Sequence, residues 1–108
     1  MKVFYSDPFE FPLPQGHRFP LAKYRLLRET VEKWPASCGA ELLLAPRATR
    51  DELLLVHTAA YVDAFAAGAL SREAMQRIGF PWSPELVERS LRSCGGTVAA
   101  TRIALQHG

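Results

Sequence analysis

The sequence predicts an α/β fold with a small parallel sheet. Two short apolar runs, "KVFYS" at residues 2–6 and "ELLLAP" at residues 41–46, are typical of strands, and an amphipathic helical pattern lies between them. Several short helical segments and one long one follow the second run. Strands that alternate with helices favour a parallel sheet, because the helix returns the chain to the end of the sheet where the first strand began.

The first predicted strand, "KVFYS", is rich in β-branched and aromatic residues and ends at the turn-forming pair Asp7-Pro8. Residues 9–20, which we name loop 1, follow it. Pro12 and Pro14 have no backbone N–H to donate and fix an extended path. Loop 1 is therefore expected to be stiff and unpaired.

A helix is predicted to begin at Pro20, because proline is tolerated in the first helical turn, and to end before Pro35. Apolar residues recur every three to four positions along it and predict a core-facing side. They are Leu21, Tyr24, Leu27, Val31 and Trp34. The run "ELLLAP" that follows is expected to be a second, buried strand, although a buried helical turn would give the same short apolar pattern.

Capping signals predict three short helices after the second strand. "TRDE" at residues 49–52 is a capping box, which starts a helix through Val56. Thr58 caps a second helix that closes at Gly68, and Ser71 caps a third through about Arg77.

The run "IGFPW" at residues 78–82, which we name loop 2, precedes the strongest helix start in the chain, Ser83-Pro84-Glu85. The final helix carries an apolar stripe with gaps of four and three, made of Val87, Leu91, Cys94, Val98, Thr101 and Leu105. Gly95 and Gly96 lie inside this helix and cost about 1 kcal/mol each relative to alanine. That cost predicts a second backbone packed very close to them.

Composition excludes several classes of protein. The chain has 108 residues, a net charge of +2 and 22% charged residues, which is typical of one small globular domain. Its arginines are scattered, so no direct nucleic-acid binding is expected. Its apolar runs are too short to span a bilayer, and "MKVFYSDPFEF" lacks the apolar core of a secretory signal, so a cytoplasmic protein is expected. Cys38 and Cys94 have no zinc-type spacing and are expected to be buried, unpaired side chains.

No complete reaction centre is visible in the residues. The histidines are His17, His57 and His107, and none of their spacings matches a metal-binding motif. His57 is interpreted as structural more readily than as a ligand. The serines fit turns, caps or helices, and the glycines of "CGGT" lack the spacing of a phosphate loop.

Three blocks taken together resemble the N-terminal part of the histone deacetylase and acetoin-utilisation family, closest to its class IV-like and bacterial branch. They are "VFYSDPFEFPLPQGHRFPLAKYRLL", "DELLLVHTAAYVDAFAAG" and "RIGFPWSPELVERSLRSCGGTVAATRIAL", and they cover nearly the whole chain. The first contains a loop similar to the family's H-x-F-P loop before the first helix. The second is similar to its vHt-x-x-Y stretch, and the third to its long helix with a GGT centre.

The resemblance implies the arginase-deacetylase fold, a three-layer α/β/α sandwich around an eight-stranded parallel sheet. It also implies a zinc-dependent amide hydrolase that removes acetyl groups from lysine or from polyamines. The family's zinc ligands, histidine pair and oxyanion-stabilising tyrosine match no residue from 1 to 108. Residues 1–108 are accordingly expected to be the N-terminal portion of a single deacetylase domain, inactive and without bound zinc on their own.

The resemblance places residues of both loops at the rim or wall of the substrate channel. "PQGHRFP" corresponds to the first rim loop, with Arg18 near the basic residue that the family uses beside its internal acetate channel. "IGFPW" corresponds to the second, where many relatives have a substrate-holding aspartate that this chain lacks, so apolar contact is expected instead. The predicted rim residues are His17, Arg18, Phe19, Phe80, Pro81 and Trp82.

Other interpretations of these residues stay open. Arg18 could be a surface residue that caps a turn, and Phe80 and Trp82 could only cover the core. Because two strands make a poor sheet, the chain could be a stand-alone, non-enzymatic module that associates with itself or a partner through its sheet edge. A small metal-binding module built on His17 and His57 is a weaker third alternative.

Overall fold

The computed structural model describes residues 1–107 and is mixed α/β, mostly helical with one small sheet. Its strands are β1 (Lys2–Tyr5) and β2 (Glu41–Leu44). Its helices are α1 (Ala22–Glu32), α2 (Arg50–Leu53), α3 (Ala59–Ala67), α4 (Arg72–Ile78) and α5 (Pro84–His107), with a 3₁₀ turn at Ala36–Cys38 before β2. The predicted order of strands and helices is confirmed.

The two strands pair in parallel, as the sequence predicts, with Lys2 opposite Glu41 and Tyr5 opposite Leu44. The carbonyls of Met1 and Tyr5 accept hydrogen bonds from the β2 side. Backbone groups of a strand alternate between its two edges, so those of Lys2 and Phe4 point away from β2. β1 therefore keeps one unpaired edge in the described chain.

The expectation that the second strand is buried is wrong. Leu44 is 46% exposed, and no residue of β2 is fully buried. β2 has only β1 as a neighbour within residues 1–107. A strand at the edge of a two-stranded sheet keeps much of its surface in solvent, whatever its composition.

Helix α5 packs directly on the sheet through its two glycines. A Cβ atom built on Gly95 would overlap the Pro46 carbonyl and lie 2.6 Å from the Ala48 nitrogen. A Cβ on Gly96 would lie 3.0 Å from the Cβ of Ala45. The Ala48 N–H also donates to the Leu91 carbonyl of α5 at 2.9 Å. The close backbone approach that the glycines predict is confirmed.

Helix α1 lies against the opposite face of β1. Phe4 faces Gly96 of α5, so its neighbour Tyr5 points to the other side, where the Arg28 guanidinium lies 5.4 Å from its ring centre. No residue of α1 is buried, and Leu27 and Trp34 are 60% and 45% exposed. The predicted apolar side of α1 is correctly oriented toward the sheet but only half covered.

An open groove of about 380 Å³, which we name the edge groove, borders the unpaired side of β1. Residues of α1 and α5 form its two walls, and its lining is mostly apolar. Its apolar lining residues include Val3, Leu27, Val31, Leu42 and Ala100.

The burial predicted for α5 is wrong in detail. Its buried residues are Leu86, Arg89, Gly95 and Gly96, whereas Leu105 of the predicted stripe is 83% exposed. Gly95 and Gly96 determine which face of α5 is buried, because the helix approaches the sheet most closely where it has no side chains. Cys94 belongs to the same stripe and is exposed, as is Cys38, so the prediction that both cysteines are buried is also wrong.

The predicted helix caps are present. Thr49 and Glu52 form the capping box of α2, and the hydroxyls of Thr58 and Ser71 cap α3 and α4. The Ser83 hydroxyl accepts from the Leu86 N–H at 3.0 Å at the start of α5. These signals act within one turn, so the sequence alone determines them.

The described chain is less compact than a typical globular domain of its size. Its accessible surface of 7552 Å² is about a quarter more than the roughly 6,000 Å² expected for a compact protein of 12.0 kDa. Its radius of gyration is 15.8 Å, against about 13 Å for a compact chain of this length. Four apolar side chains form the buried core of the described residues, namely Phe11, Ala45, Ala48 and Leu86.

Candidate functional site

The two proline-aromatic loops meet and form an aromatic cluster. The Phe80 ring of loop 2 lies 5.1 Å from Phe11 and 4.9 Å from Phe19, both in loop 1, with edge-to-face geometry in each pair. Phe11 and Phe19 are 6.3 Å apart. Aromatic pairs in this geometry each contribute about 0.5–1.5 kcal/mol beyond the burial of their area. We name Phe11, Phe19 and Phe80 the rim cluster.

The rim cluster lies beyond the carboxyl end of the sheet. Loop 1 follows β1 after Tyr5, and loop 2 leads into α5, which packs on β1. In open parallel sheets, ligands bind in the crevice outside the carboxyl ends of the strands. The cluster therefore lies at the end of the sheet where open α/β folds commonly bind their ligands.

His17 connects the two loops by hydrogen bonds. Its Nε2 lies 3.2 Å from the Gly79 carbonyl oxygen, and its Nδ1 accepts from the Phe19 backbone N–H at 3.1 Å. The imidazole ring also lies 5.7 Å from the Phe80 ring. Gly79 ends α4 with a φ of +85°, a conformation that favours glycine, and its carbonyl is the atom that meets His17.

Arg89 of α5 is buried against loop 1 and forms a hydrogen bond with its backbone. It is 6% exposed, and its Nη1 donates to the Phe9 carbonyl at 3.2 Å. Its guanidinium lies 4.5 Å from the Tyr24 ring centre and 6.0 Å from that of Phe11. Burial lowers the pKa of Arg89, yet arginine stays protonated in proteins, so the cation is stabilised by the aromatic faces and the carbonyl.

A second arginine fixes the start of loop 1. The buried carboxylate of Asp7 accepts from Arg28 Nε at 2.7 Å, and Arg28 Nη1 donates to Glu32 at 2.6 Å. Hydrogen bonding to Asp7, followed by that to Glu32, raises the pKa of the Arg28 guanidinium above its usual range. The pair ties the carboxyl end of β1 to α1.

The sequence prediction did not identify Arg89, Arg28 or Asp7. A usable signal exists for Arg89, which stands seven residues before Gly96 and so shares its face of α5. The ion pair of Asp7 and Arg28 joins residues 21 positions apart, and only the tertiary structure shows it.

The structure brings three of the six predicted rim residues together, namely His17, Phe19 and Phe80. Arg18 is exposed and forms no ion pair or hydrogen bond with residues 1–107. Pro81 is also exposed. Trp82 faces α3 instead, since its indole N–H donates to the Phe65 carbonyl at 2.6 Å and its ring covers Gly68.

The described residues do not provide a metal centre. Among residues 1–107, no three His, Cys, Asp or Glu side chains are placed to bind a metal ion together. His57 stacks on Tyr61 at 5.3 Å, whereas His17 contacts loop 2. The described residues therefore do not fit a zinc site. Nor does any helix in this part of the chain have the length and apolar character needed to cross a membrane.

No protein-family profile matches the chain. The chain is similar to an uncharacterized protein of Picosynechococcus sp. (strain ATCC 27264 / PCC 7002 / PR-6), with 37% identity over 106 residues. This match covers 98% of the chain and 35% of the relative. The chain therefore spans about one third of the length of the curated relative that it matches.

Proposed function

We propose that the chain is the N-terminal part of a zinc-dependent deacetylase that hydrolyses acetyl-lysine or acetylpolyamine amides in the cytoplasm. In this proposal, residues 1–108 supply the first strands of a wider sheet in a three-layer α/β/α sandwich. They also supply two rim loops of the substrate channel. The zinc ligands and the proton-transfer groups come from the rest of the longer protein.

The observation that carries this proposal is the rim cluster. Loop 1 and loop 2 are separated by some 60 residues of sequence, yet Phe19 and Phe80 lie 4.9 Å apart beyond the carboxyl end of β1. A substrate channel in an open α/β sheet is expected at this end. Two loops that converge there are suited to form one side of its mouth.

The edge groove and the excess surface support a wider sheet. β1 directs the backbone groups of Lys2 and Phe4 into open space, with α1 on one side and α5 on the other. A third strand placed there would pair with these groups and cover apolar residues of both helices. The chain spans 35% of its relative, so the relative has enough additional sequence for further strands.

The chemistry of the rim favours apolar contact with the substrate. Phe80 stands in the second rim loop, where a substrate-holding aspartate would be expected, and it provides a ring face in place of a carboxylate. A long aliphatic stem, such as that of acetyl-lysine, fits such a surface because methylene groups pack on aromatic rings. Zinc in the complete domain would supply Lewis-acid activation of the amide carbonyl and of water.

The full-length cyanobacterial relative and the 108-residue chain should be assayed side by side for zinc content and for acetate release from an acetyl-lysine peptide and an acetylpolyamine. We expect the relative to bind zinc and release acetate, and to lose activity on chelation. We expect the 108-residue chain to bind no stoichiometric zinc and to release no acetate. A zinc-loaded, folded relative that hydrolyses neither substrate would contradict the proposed function, and turnover by the short chain would contradict the assignment of the reaction centre to the rest of the protein.

A second candidate function is a self-associating, non-enzymatic module, and the unpaired edge of β1 favours it. An exposed strand edge is a template for pairing with another chain. The same groove that would receive a strand of a longer protein could receive a strand of a second copy. Light scattering of the 108-residue chain against its Lys2→Pro variant tests this association.

A further inference from the structure

The His17 imidazole is the polar link between the two loops. Within residues 1–107, its contact with the Gly79 carbonyl is the one hydrogen bond that joins loop 1 to loop 2. The loops also meet through ring contacts of Phe80 with Phe11, Phe19 and the His17 imidazole. Apolar ring contacts bury surface but have little directional preference, whereas a hydrogen bond is directional. The hydrogen bond of His17 therefore fixes how loop 1 is positioned relative to loop 2.

The hydrogen bonds of His17 require one form of the ring. The Phe19 N–H donates to Nδ1, so Nδ1 has no proton. The ring hydrogen is then on Nε2, where it is donated to the Gly79 carbonyl. The neutral Nε2–H tautomer satisfies both partners, whereas the other neutral tautomer satisfies neither.

A second proton on the ring would remove one of the two hydrogen bonds. It could attach only to Nδ1, which would then present an N–H to the N–H of Phe19. The charged groups around the rim cluster are mainly cations, namely Arg18 next to His17 in sequence, Lys23 of α1 over the Phe19 ring, and Arg89 of α5 near the Phe11 ring. Glu10 is the acidic residue of loop 1, and within residues 1–107 no carboxylate forms an ion pair with His17.

We infer that His17 is a pH-sensitive pin whose neutral ring holds the Phe19 backbone of loop 1, and that protonation breaks this hydrogen bond while the bond to the Gly79 carbonyl of loop 2 persists. Histidine is the side chain that gains its proton between pH 8 and pH 5 without special surroundings. The inference goes beyond the proposed function, because it needs only the two loops and holds whether or not the chain belongs to a deacetylase. Its consequence is a Phe19 backbone that is held at neutral pH and freed in acid, while the two loops stay joined at Gly79.

The inference is tested by NMR titration of the ¹⁵N-labelled 108-residue chain from pH 8 to pH 5. At pH 8, ring nitrogen shifts should report the Nε2–H tautomer of His17. On acidification, the backbone signals of Phe19 and Gly79 should move with the same midpoint as the His17 ring. Exchange of the Phe19 amide, corrected for its intrinsic pH dependence, should accelerate about three- to tenfold, as expected for the loss of one hydrogen bond.

Two variants separate the pin from general acid effects. His17→Gln does not titrate, so the coupled shifts of Phe19 and Gly79 should disappear. His57→Gln changes an exposed histidine outside both loops and should leave those shifts unchanged. A His17 ring in the Nδ1–H tautomer at pH 8, a Phe19 amide that does not follow the His17 midpoint, or coupled shifts that persist in His17→Gln would each overturn the inference.

Discussion

At the residue scale, Gly95 occupies a position in α5 that has no room for a side chain. The backbone of residues 46–48 crosses α5 at this point, and Ala48 donates a hydrogen bond to Leu91 one turn earlier. Glycine is normally a poor helix residue, and alanine would gain about 1 kcal/mol in an open helix. Here the contact reverses that preference, because no space exists for a Cβ.

Gly95→Ala is accordingly expected to destabilise the chain by about 3 kcal/mol or more. The added methyl would overlap the Pro46 carbonyl and must displace either the segment after β2 or the whole helix. Urea unfolding followed by circular dichroism would measure the loss.

The matched control is Ser93→Ala, an exposed position two residues earlier in the same helix. It should change the free energy of unfolding by no more than about 0.5 kcal/mol. A Gly95→Ala chain as stable as the wild type would show that α5 does not lie as close to the sheet as described.

At the scale of elements, three side chains attach α5 to the segment that follows β2. Glu88 Oε1 accepts from Arg47 Nε at 2.9 Å and from Arg92 Nε at 3.0 Å, and Arg92 also donates to the Ala45 carbonyl at 3.1 Å. Hydrogen bonding to Arg47, aided by Arg92 and opposed by partial burial, lowers the pKa of the Glu88 carboxyl. The network supports the same contact that the glycines make possible.

The lowered pKa of the Glu88 carboxyl determines how its contribution to the free energy of unfolding changes with pH. Since Glu88 binds its proton more weakly in the folded state, its contribution to stability is complete above its unfolded pKa of about 4.3 and is lost as the pH falls through the folded value. Glu88→Gln should therefore lower the free energy of unfolding by about 0.5–1 kcal/mol at pH 7, a value reduced by solvent because Arg47 is 61% exposed. The difference from the wild type should shrink as the pH falls through the folded pKa of Glu88.

Urea midpoints at pH 7 and pH 3 would measure this difference. Glu29→Gln serves as the control, since its ion pair with Arg25 lies on the exposed surface of α1, away from α5. If Glu88→Gln and the wild type differ equally at both pH values, the ionised carboxylate does not stabilise the attachment of α5.

Features of a helix that arise within one turn could be predicted from the sequence, whereas features that depend on its packing partners could not. The caps at Thr49, Thr58, Ser71 and Ser83 were predictable because each hydrogen bond closes within one helical turn. The buried face of α5 was not, because it depends on which side meets the sheet. The sequence indicated two loops with proline and aromatic residues, but the position of Trp82 against α3 depends on packing across 17 residues.

At the scale of the whole molecule, the described chain leaves much apolar surface uncovered. Besides the edge groove, Leu55 and Val56 after α2 and Leu105 near the end of α5 are each at least 80% exposed. An apolar cavity of about 240 Å³ also opens between α3 and α5, with Phe65 and Leu91 in its lining. Apolar surface of this extent favours contact with further protein.

The unpaired edge of β1 leads to a prediction about association. The wild-type 108-residue chain is expected to associate as its concentration rises, and light scattering should give a mass above 12.0 kDa. Lys2→Pro should shift it toward the monomer, because proline removes the backbone N–H of Lys2 that points away from β2 while leaving the bonds between the two strands intact.

Lys2→Thr is the control for the lost charge, since threonine keeps the backbone N–H and should associate like the wild type. A wild-type chain that remains monomeric at all concentrations would count against a sheet edge that needs another strand. Equal masses for Lys2→Pro and Lys2→Thr would place any association on another surface.

The sequence by itself determined the order of strands and helices, the caps, the presence of two loops with proline and aromatic residues, and the close approach at Gly95 and Gly96. Most of these features follow from interactions within a few residues. The close approach follows from the unfavourable free energy of two glycines inside a helix, which a close tertiary contact explains. The tertiary structure alone decided that loop 1 meets loop 2 through His17 and Phe80, that Arg89 is buried beneath them, and that β2 stays exposed. Those outcomes depend on how distant segments pack, and local patterns of residues do not contain that information.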